Sequence, residues 1–171
     1  SVSWPDDVVK GNGRVHRFEN GVWDTRVFKI GQSDFEPRTF TADKVTLFVS
    51  PDCSHEVITG VIKDADDTII ISMYEFTSVS LAESLADAER RGTEVTILME
   101  GGPVGGMSKD EKGVLNYLSR AGVDIYTIES EGKLPARYRY LHTKYLVADS
   151  MVTVVISENF KDSGIPKSGS G

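Results

Sequence analysis

The chain has 171 residues, a formal net charge of -7 at pH 7 and a hydrophobic content of 39%. This length suits one domain with an appendage, and the acidic balance argues against a protein that coats nucleic acids. No apolar stretch in the sequence is long enough to cross a membrane, and the single cysteine, Cys53, excludes an internal disulfide.

Residues 1–43 differ in character from the rest. The Asn-Gly pair between Phe18 and Trp23 indicates a hairpin turn between two short strands. The segment that starts at Trp23, W-D-T-R-V-F-K-I-G-Q-S-D-F, resembles the closing strand of a lamin-tail-like β-sandwich, which would imply a secreted or cell-surface setting. We therefore expect a β-rich extension or the remnant of a preceding domain, and an irregular extension packed on the main domain is the alternative. The chain has no initiator methionine and no signal-peptide pattern, so we expect a piece of a longer protein.

Strands and helices are predicted to alternate from Lys44 onward. The alternating apolar residues of Val45–Val49 indicate a strand, and a helix capped by Asp52 or Ser54 should follow. The continuous apolar run Thr68–Met73 is typical of a strand buried on both faces of a sheet.

Two more strand–helix units follow along the chain. Ser80 and Ser108 each have a glutamate three residues later, a capping box that predicts a helix start. Strands are predicted at Glu94–Met99 and Val123–Ile128. Repeated units of this kind predict an α/β fold with a mixed, largely parallel sheet and helices on both faces.

The stretch 142–160, H-T-K-Y-L-V-A-D-S-M-V-T-V-V-I-S-E-N-F, carries the most informative pattern. Its two apolar runs, Tyr145–Ala148 and Val152–Ile156, predict two strands joined by a tight turn at Asp149–Ser150. Valine, isoleucine and threonine dominate both runs, which favours strands over helix.

Four polar side chains border this predicted hairpin. Because side chains alternate along a strand, His142 and Lys144 should point the same way, with Ser157 and Asn159 on the neighbouring strand. A nucleophile or base, a fixed positive charge and two neutral hydrogen-bonding groups suit a phosphate. A buried hairpin that carries its histidine and lysine by chance is the alternative.

This stretch resembles the signature of the phospholipase D superfamily, H-x-K-x4-D-x6-G-S-x-N. Five residues match it in type and spacing: His142, Lys144, Asp149, Ser157 and Asn159. Ile156 stands where the signature has glycine. The order of the preceding segments, S-P-D, I-I-I-S-M-Y-E-F-T and A-E-R-R-G-T-E-V-T-I-L, also resembles one lobe of that fold. The resemblance covers residues 44–163 and leaves 164–171 as a flexible tail.

The resemblance implies a phosphodiesterase that works in two steps through a phosphohistidine, without a metal or other cofactor. His142 would attack phosphorus. Lys144 and Asn159 would hold the non-bridging oxygens, with help from Ser157. A preorganised cation beside the nucleophile stabilises such a transition state directly, because a phosphodiester anion repels nucleophiles.

Two further residues receive roles from the same resemblance. Glu75, just past the strand Thr68–Met73, would orient the ring of His142, and Asp149 would be more structural than chemical. The family needs a second motif, whose histidine protonates the leaving oxygen. That second lobe would come from a homodimer mate or from omitted sequence.

The approach to this site is basic and aromatic. Lys133–Lys144 contains no carboxylate, and Tyr138 and Tyr140 alternate there with Arg137 and Arg139. Such a run attracts a polyanion, which favours nucleic acid over phospholipid as the phosphodiester substrate, whereas an ordinary solvated loop is the alternative. A non-catalytic phosphate-binding or interaction half-lobe, and a lipid-directed phospholipase or phosphatidyltransferase, are the alternative functions.

Other motifs predict no cofactor or metal. The loop Gly101–Ser108 almost fits a phosphate-binding P-loop, but Met107 stands where that motif needs lysine. The acidic cluster before Thr68 lacks the rest of a calcium loop, and the three histidines share no metal-ligand spacing. The sequence contains no G-x-S-x-G nucleophile elbow.

Overall fold

The structure is a computed structural model that describes residues 12–19, 22–29, 37, 39–130 and 140–167. These residues form seven strands and three helices. In chain order they are β1 (Asn12–Glu19), β2 (Val22–Lys29), α1 (Ser54–Asp64), β3 (Thr68–Met73), α2 (Val79–Arg91), β4 (Glu94–Glu100), α3 (Lys109–Arg120), β5 (Asp124–Ser130), β6 (Tyr145–Ala148) and β7 (Val152–Val155).

All seven strands belong to one sheet with the order β2-β1-β5-β4-β3-β6-β7. Strand β4 is parallel to both β3 and β5, whereas the other four pairings are antiparallel. The prediction of a mixed α/β sheet is therefore confirmed, but the sheet is parallel only at its centre. The repeated strand–helix units account for that centre, and the two hairpins extend it on both sides with antiparallel pairings.

The described helices lie on one face of the sheet, whereas the sequence predicted helices on both faces. Helix α2 contacts α1 and α3, so the three form one layer. The chain moves in the same direction across the sheet from β3 to β4 and from β4 to β5. Right-handed crossovers in one direction place their helices on the same side. On the other face Ile70 keeps 44% of its surface exposed.

The core lies between this helix layer and the sheet. Alternate residues of the central strands point into it, as the period of two requires. Helices α1, α2 and α3 meet them with apolar stripes. The fully buried residues of the core include Ile58, Ile62, Ile69, Ile71, Met73, Leu81, Leu85, Ile97, Met99 and Leu118. Burial of this set is the main stabilising term of the fold.

Two predicted helix starts differ from the structure. Ser78, not Ser80, caps α2, and its side chain accepts a hydrogen bond from the Leu81 amide. Ser80 instead bonds His55 Nε2 at 3.0 Å. Cys53 occupies the N-cap position of α1 without a side-chain capping hydrogen bond, so neither Asp52 nor Ser54 is the N-cap. For α3, the predicted cap is confirmed: Ser108 accepts from the Glu111 amide at 3.1 Å.

The strand predicted at Val45–Val49 is not formed. Val45 and Leu47 are 74% and 92% exposed, and the segment has an irregular backbone. Its alternating apolar residues satisfy strand propensity, but a strand also needs a hydrogen-bonded neighbour. The sequence could not show that this neighbour would be missing among the described residues.

The predicted hairpins at the two ends of the sheet are both present. Strands β1 and β2 pair around the predicted Asn-Gly turn, which itself lies outside the described residues, and β1 also pairs with β5. Strands β6 and β7 pair across Asp149 and Ser150, whose φ angles are 52° and 56°. Two left-handed residues are what a type I′ turn requires.

The predicted boundary of the flexible tail falls within packed structure. Ile165 is fully buried, and its amide donates to the Lys161 carbonyl at 2.8 Å. The chain therefore still packs on the domain beyond residue 164. Residues 168–171 lie outside the described part of the chain.

Candidate active site

A histidine and a lysine stand together where the chain enters β6. Lys144 Nζ lies 3.3 Å from His142 Nε2, while His142 is exposed and Lys144 is only 8% exposed. The two residues precede β6 and are not within it, yet their side chains meet as the two-residue spacing predicts. The arrangement places a cation beside a ring nitrogen of an exposed histidine.

Partial burial of Lys144 affects both its pKa and the strength of its interaction with an anion. Burial lowers the pKa of Lys144 below its ordinary value, and the nearby Glu158 carboxylate opposes this shift. A partly desolvated ammonium interacts more strongly with an incoming anion than a hydrated one, because the local dielectric is lower. Glu158 was not singled out by sequence reasoning, and its position inside the signature was its only signal.

Tyr74 contacts both members of this pair. Its ring meets that of His142 edge-on, with centroids 4.8 Å apart. Lys144 Nζ lies 5.5 Å from the centre of the same ring. Sequence reasoning missed Tyr74 and chose Glu75 next to it. The available signal was an aromatic residue directly after the buried strand β3.

Glu75 does not have the partner that was predicted for it. Its carboxylate lies 2.5 Å from Lys161 Nζ, and its carbonyl accepts from the Phe160 amide at 3.1 Å. Consecutive residues at a strand end point to opposite sides. The ring contact with His142 therefore falls to Tyr74, and Glu75 holds the chain that follows β7.

Glu100, at the end of β4, supports the segment that carries the histidine. It is 3% exposed, and its carboxylate accepts from the Leu141 amide at 2.5 Å and from the Gly102 amide at 2.9 Å. Leu141 directly precedes His142. Sequence reasoning missed this residue, although a carboxylate that ends an apolar strand was a signal of function.

Asp149 lies in the turn between β6 and β7 and supports the fold. Its carboxylate accepts from the amides of Asp66, Asp67 and Thr68 at 3.0, 2.9 and 2.8 Å. These hydrogen bonds, that from Thr68 above all, lower the pKa of Asp149. The turn is thereby fastened to the start of β3.

The two remaining signature residues follow β7. Ser157 is exposed and Asn159 is partly buried. Asn159 Oδ1 is buried and has no hydrogen-bond partner among the described residues, and such an unpaired buried polar atom is uncommon in folded proteins. Ile156 donates its amide to the Lys144 carbonyl at 3.1 Å.

Comparisons with known proteins agree with this arrangement. The family model described as "Cardiolipin synthase, PLD-like domain" matches residues 58–169. The chain belongs to this PLD-like domain family. Its superfamily is that of phospholipase D, whose members are phosphodiesterases. The match begins at Ile58, so it does not cover the segment that resembles a lamin-tail-like sandwich.

Two solved structures share the fold of this PLD-like domain. The phospholipase D family member Nuc from Salmonella typhimurium has 20% identity and a TM-score of 0.55, with 66% of this chain and 68% of that chain covered. NucT from Helicobacter pylori has 18% identity and a TM-score of 0.52, with 63% and 67% covered. A search of curated proteins found no match.

The basic approach to the PLD-like site is only partly described. Arg137, Tyr138 and Arg139 lie outside the described residues, whereas Tyr140 is 38% exposed two residues before His142. Within the described ranges, no group of three or more potential ligands could hold a metal. Nor does any helix there have the length and apolar character to cross a membrane.

The support that Glu100 gives the PLD-like site can be measured. We expect Glu100→Ala to destabilise the domain by about 1–3 kcal/mol, because two amides lose their buried acceptor. Amide hydrogen exchange at Leu141 should accelerate, and urea unfolding should report the change in free energy. Glu100→Gln keeps one acceptor oxygen, so its unfolding free energy should lie between those of the wild type and Glu100→Ala. Unchanged exchange at Leu141 in the alanine variant would contradict this role.

Proposed function

We propose that this PLD-like domain is the catalytic lobe of a phosphodiesterase that uses His142 as its nucleophile and nucleic acid as its substrate. The observation that carries the proposal is the 3.3 Å distance from Lys144 Nζ to Nε2 of the exposed residue His142. A nucleophile with a cation beside it suits attack on an anionic phosphodiester.

The reaction consists of two displacements at phosphorus. His142 forms a nitrogen–phosphorus bond, and the bond from phosphorus to the leaving oxygen breaks. Water then attacks the phosphohistidine, which releases the phosphomonoester and restores the ring. Lys144 neutralises charge on the non-bridging oxygens in both steps, and Asn159 adds a hydrogen bond, with Ser157 beside it.

The leaving oxygen must receive a proton, and this step needs a second acid. The sequence contains one histidine–lysine motif, because neither His16 nor His55 has a lysine two residues later. We therefore propose that a second lobe completes the site, either from a homodimer mate or from sequence outside this chain. Protein concentration separates these sources, since a dimer forms only when copies associate.

The basic and aromatic run before His142 supports nucleic acid over phospholipid. Arg137, Arg139 and their neighbouring tyrosines offer charge to a polyanionic backbone and rings to its bases. A single phospholipid headgroup carries one phosphodiester and would use such a run poorly. The segment joins the site through Tyr140 and Leu141.

A phosphate-binding half-lobe without catalysis is the second candidate function. Ile156 favours it, because this side chain stands at the signature glycine and packs partly against the core. A bulkier residue there limits how closely the backbone can approach a phosphate. Such a lobe would bind an oligonucleotide without cleaving it.

The test compares an oligonucleotide, a chromogenic phosphodiester and phosphatidylcholine vesicles, all in excess EDTA and over a range of protein concentrations. We expect EDTA-resistant cleavage that is fastest for the oligonucleotide and rises with dimer content. Preference for phosphatidylcholine would contradict the substrate. Binding of the oligonucleotide without cleavage at any concentration would favour the half-lobe. Activity abolished by EDTA would contradict the metal-independent mechanism.

A further inference from the structure

We propose that Tyr74 is the positioning residue of the site, which holds the His142 ring and ties it to the glycine-rich loop Gly101–Gly106. This inference deepens the proposed function and rests on it for its catalytic consequence. Its structural part stands on contacts that can be measured without activity.

The position of Tyr74 follows from the sheet. It comes directly after β3, and β3 pairs with β6 through Ser72 and Tyr145. The end of β3 is therefore beside the entry to β6, where His142 and Lys144 lie. The two segments are also joined by a short contact between the hydroxyls of Ser72, two residues before Tyr74, and Thr143, which lies between His142 and Lys144.

The ring of Tyr74 contacts both functional groups in ways that restrict them. Its plane makes an angle of 63° with the His142 ring, an edge-on packing that limits rotation of the imidazole. The Lys144 ammonium faces the same ring at 5.5 Å, and such a contact favours the charged form. An exposed histidine is otherwise free to change rotamer.

The hydroxyl of Tyr74 has a different partner. Its oxygen accepts a hydrogen bond from the Val104 amide at 3.0 Å. Val104 is 78% exposed, and the next two residues, Gly105 and Gly106, have φ angles of 90° and 79°. Within the loop Gly106 donates its amide to the Pro103 carbonyl at 2.8 Å, and the Tyr74 hydroxyl joins the loop tip to the site.

The loop is thereby attached to the site at two points. Glu100 binds the amides of Gly102 and Leu141 at its base, and Tyr74 binds Val104 at its tip. Each residue also contacts the His142 segment, Glu100 through the preceding amide and Tyr74 through the ring. Movement of the loop is therefore coupled to the orientation of the nucleophile.

Two substitutions separate the functions of the ring and the hydroxyl. Tyr74→Phe keeps the ring contacts and removes the bond to Val104. Tyr74→Leu removes both. Tyr117, which is 42% exposed on α3, provides the matched control through Tyr117→Phe and Tyr117→Leu.

The first readout is NMR of the protein without substrate. In Tyr74→Phe, we expect faster amide exchange at Val104 and unchanged ring-proton shifts for His142. In Tyr74→Leu, both should change, because the ring current of Tyr74 is also lost. Neither should change in the Tyr117 variants. Unaltered Val104 exchange in the conservative phenylalanine variant would overturn the tether, and unaltered His142 shifts in a folded leucine variant would overturn the ring contact.

The second readout is cleavage of the oligonucleotide. We expect Tyr74→Leu to lower kcat about tenfold with little change in KM, because misplacing a nucleophile weakens the transition state more than substrate binding. Tyr74→Phe keeps the ring, so it should retain most of the wild-type kcat. Loss of kcat to the same extent in both variants would overturn positioning by the ring. A wild-type protein without activity would instead contradict the proposed function, while the NMR result would still decide the contacts of Tyr74.

Discussion

Replacing His142 by asparagine is expected to lower phosphodiester cleavage by roughly three orders of magnitude or more, the range seen when covalent catalysts lose their nucleophile. Asparagine keeps a polar side chain of similar reach but cannot form the phosphohistidine. Because His142 is exposed, the change should leave the fold and its unfolding free energy nearly unaltered.

The control for this variant is another histidine of the same chain. His55 is 8% exposed and binds Ser80 at 3.0 Å in the contact between α1 and α2, so His55→Asn should reduce stability and leave cleavage intact below the melting temperature. A rapid acid quench of the wild type, read by intact mass, should also reveal a phosphoryl adduct that His142→Asn lacks. Equal loss of activity in both variants would contradict a specific role for His142.

The sequence predicted the centre of the fold well, because local signals there agree with the tertiary structure. Thr68–Met73 is a continuous apolar run, and the structure has a strand with the same bounds. The turn at Asp149 and Ser150 was predicted from two short apolar runs. In both places the local pattern favours the structure that the whole fold also requires, because neighbouring strands supply the hydrogen bonds that a strand needs.

Helix starts were harder to predict, because several serines compete for each cap. Ser78 directly precedes α2 and Ser80 lies in its first turn, and the capping box pointed to Ser80. The structure uses Ser80 for a bond to His55, a residue 25 positions earlier. Local sequence patterns show that two serines compete for the cap, but they do not show the distant partner that decides between them.

The site itself was only partly predictable for the same reason. His142 and Lys144 belong to one short motif, so their meeting follows from spacing along the chain. Tyr74 and Glu100 come from other strands and reach the site through pairings that no local pattern reveals. The choice between Tyr74 and Glu75 also depended on which of the two side chains lies on the same side of the sheet as His142. The register of β3 against β6 decides this.

Loss of the Asp149 carboxylate should produce the largest change in stability among the changes considered. One side chain here satisfies three backbone amides, and its own residue has a φ angle of 52°. Aspartate and asparagine tolerate this left-handed backbone, whereas alanine is strained there. We expect Asp149→Ala to lower Tm by several degrees, and Asp149→Asn, which keeps the backbone tolerance and one oxygen, to lower it less.

The charge of Asp149 gives this stabilisation a defined dependence on pH. Its pKa in the folded protein lies below the ordinary value of 3.8, mainly because the Thr68 amide donates to the carboxylate. A lowered pKa in the folded state means that protonation favours unfolding. The contribution is therefore fully present above about pH 3.8 and is lost as the pH falls through the lowered value.

Urea unfolding of the wild type and both variants at pH 7, 5 and 3 measures this dependence. The gap between wild type and Asp149→Asn should be equal at pH 7 and 5 and smaller at pH 3, because below the ordinary pKa of 3.8 the unfolded wild-type chain takes up a proton at this carboxyl more readily than the folded protein does. The exposed Asp52 provides the control through Asp52→Asn, which should leave stability nearly unchanged. A gap that stays constant to pH 3 would assign the effect to the geometry of the turn. In that case the stability difference would come from the loss of one acceptor oxygen for the amides of Asp66, Asp67 and Thr68, and the charge of the carboxylate would add nothing to it.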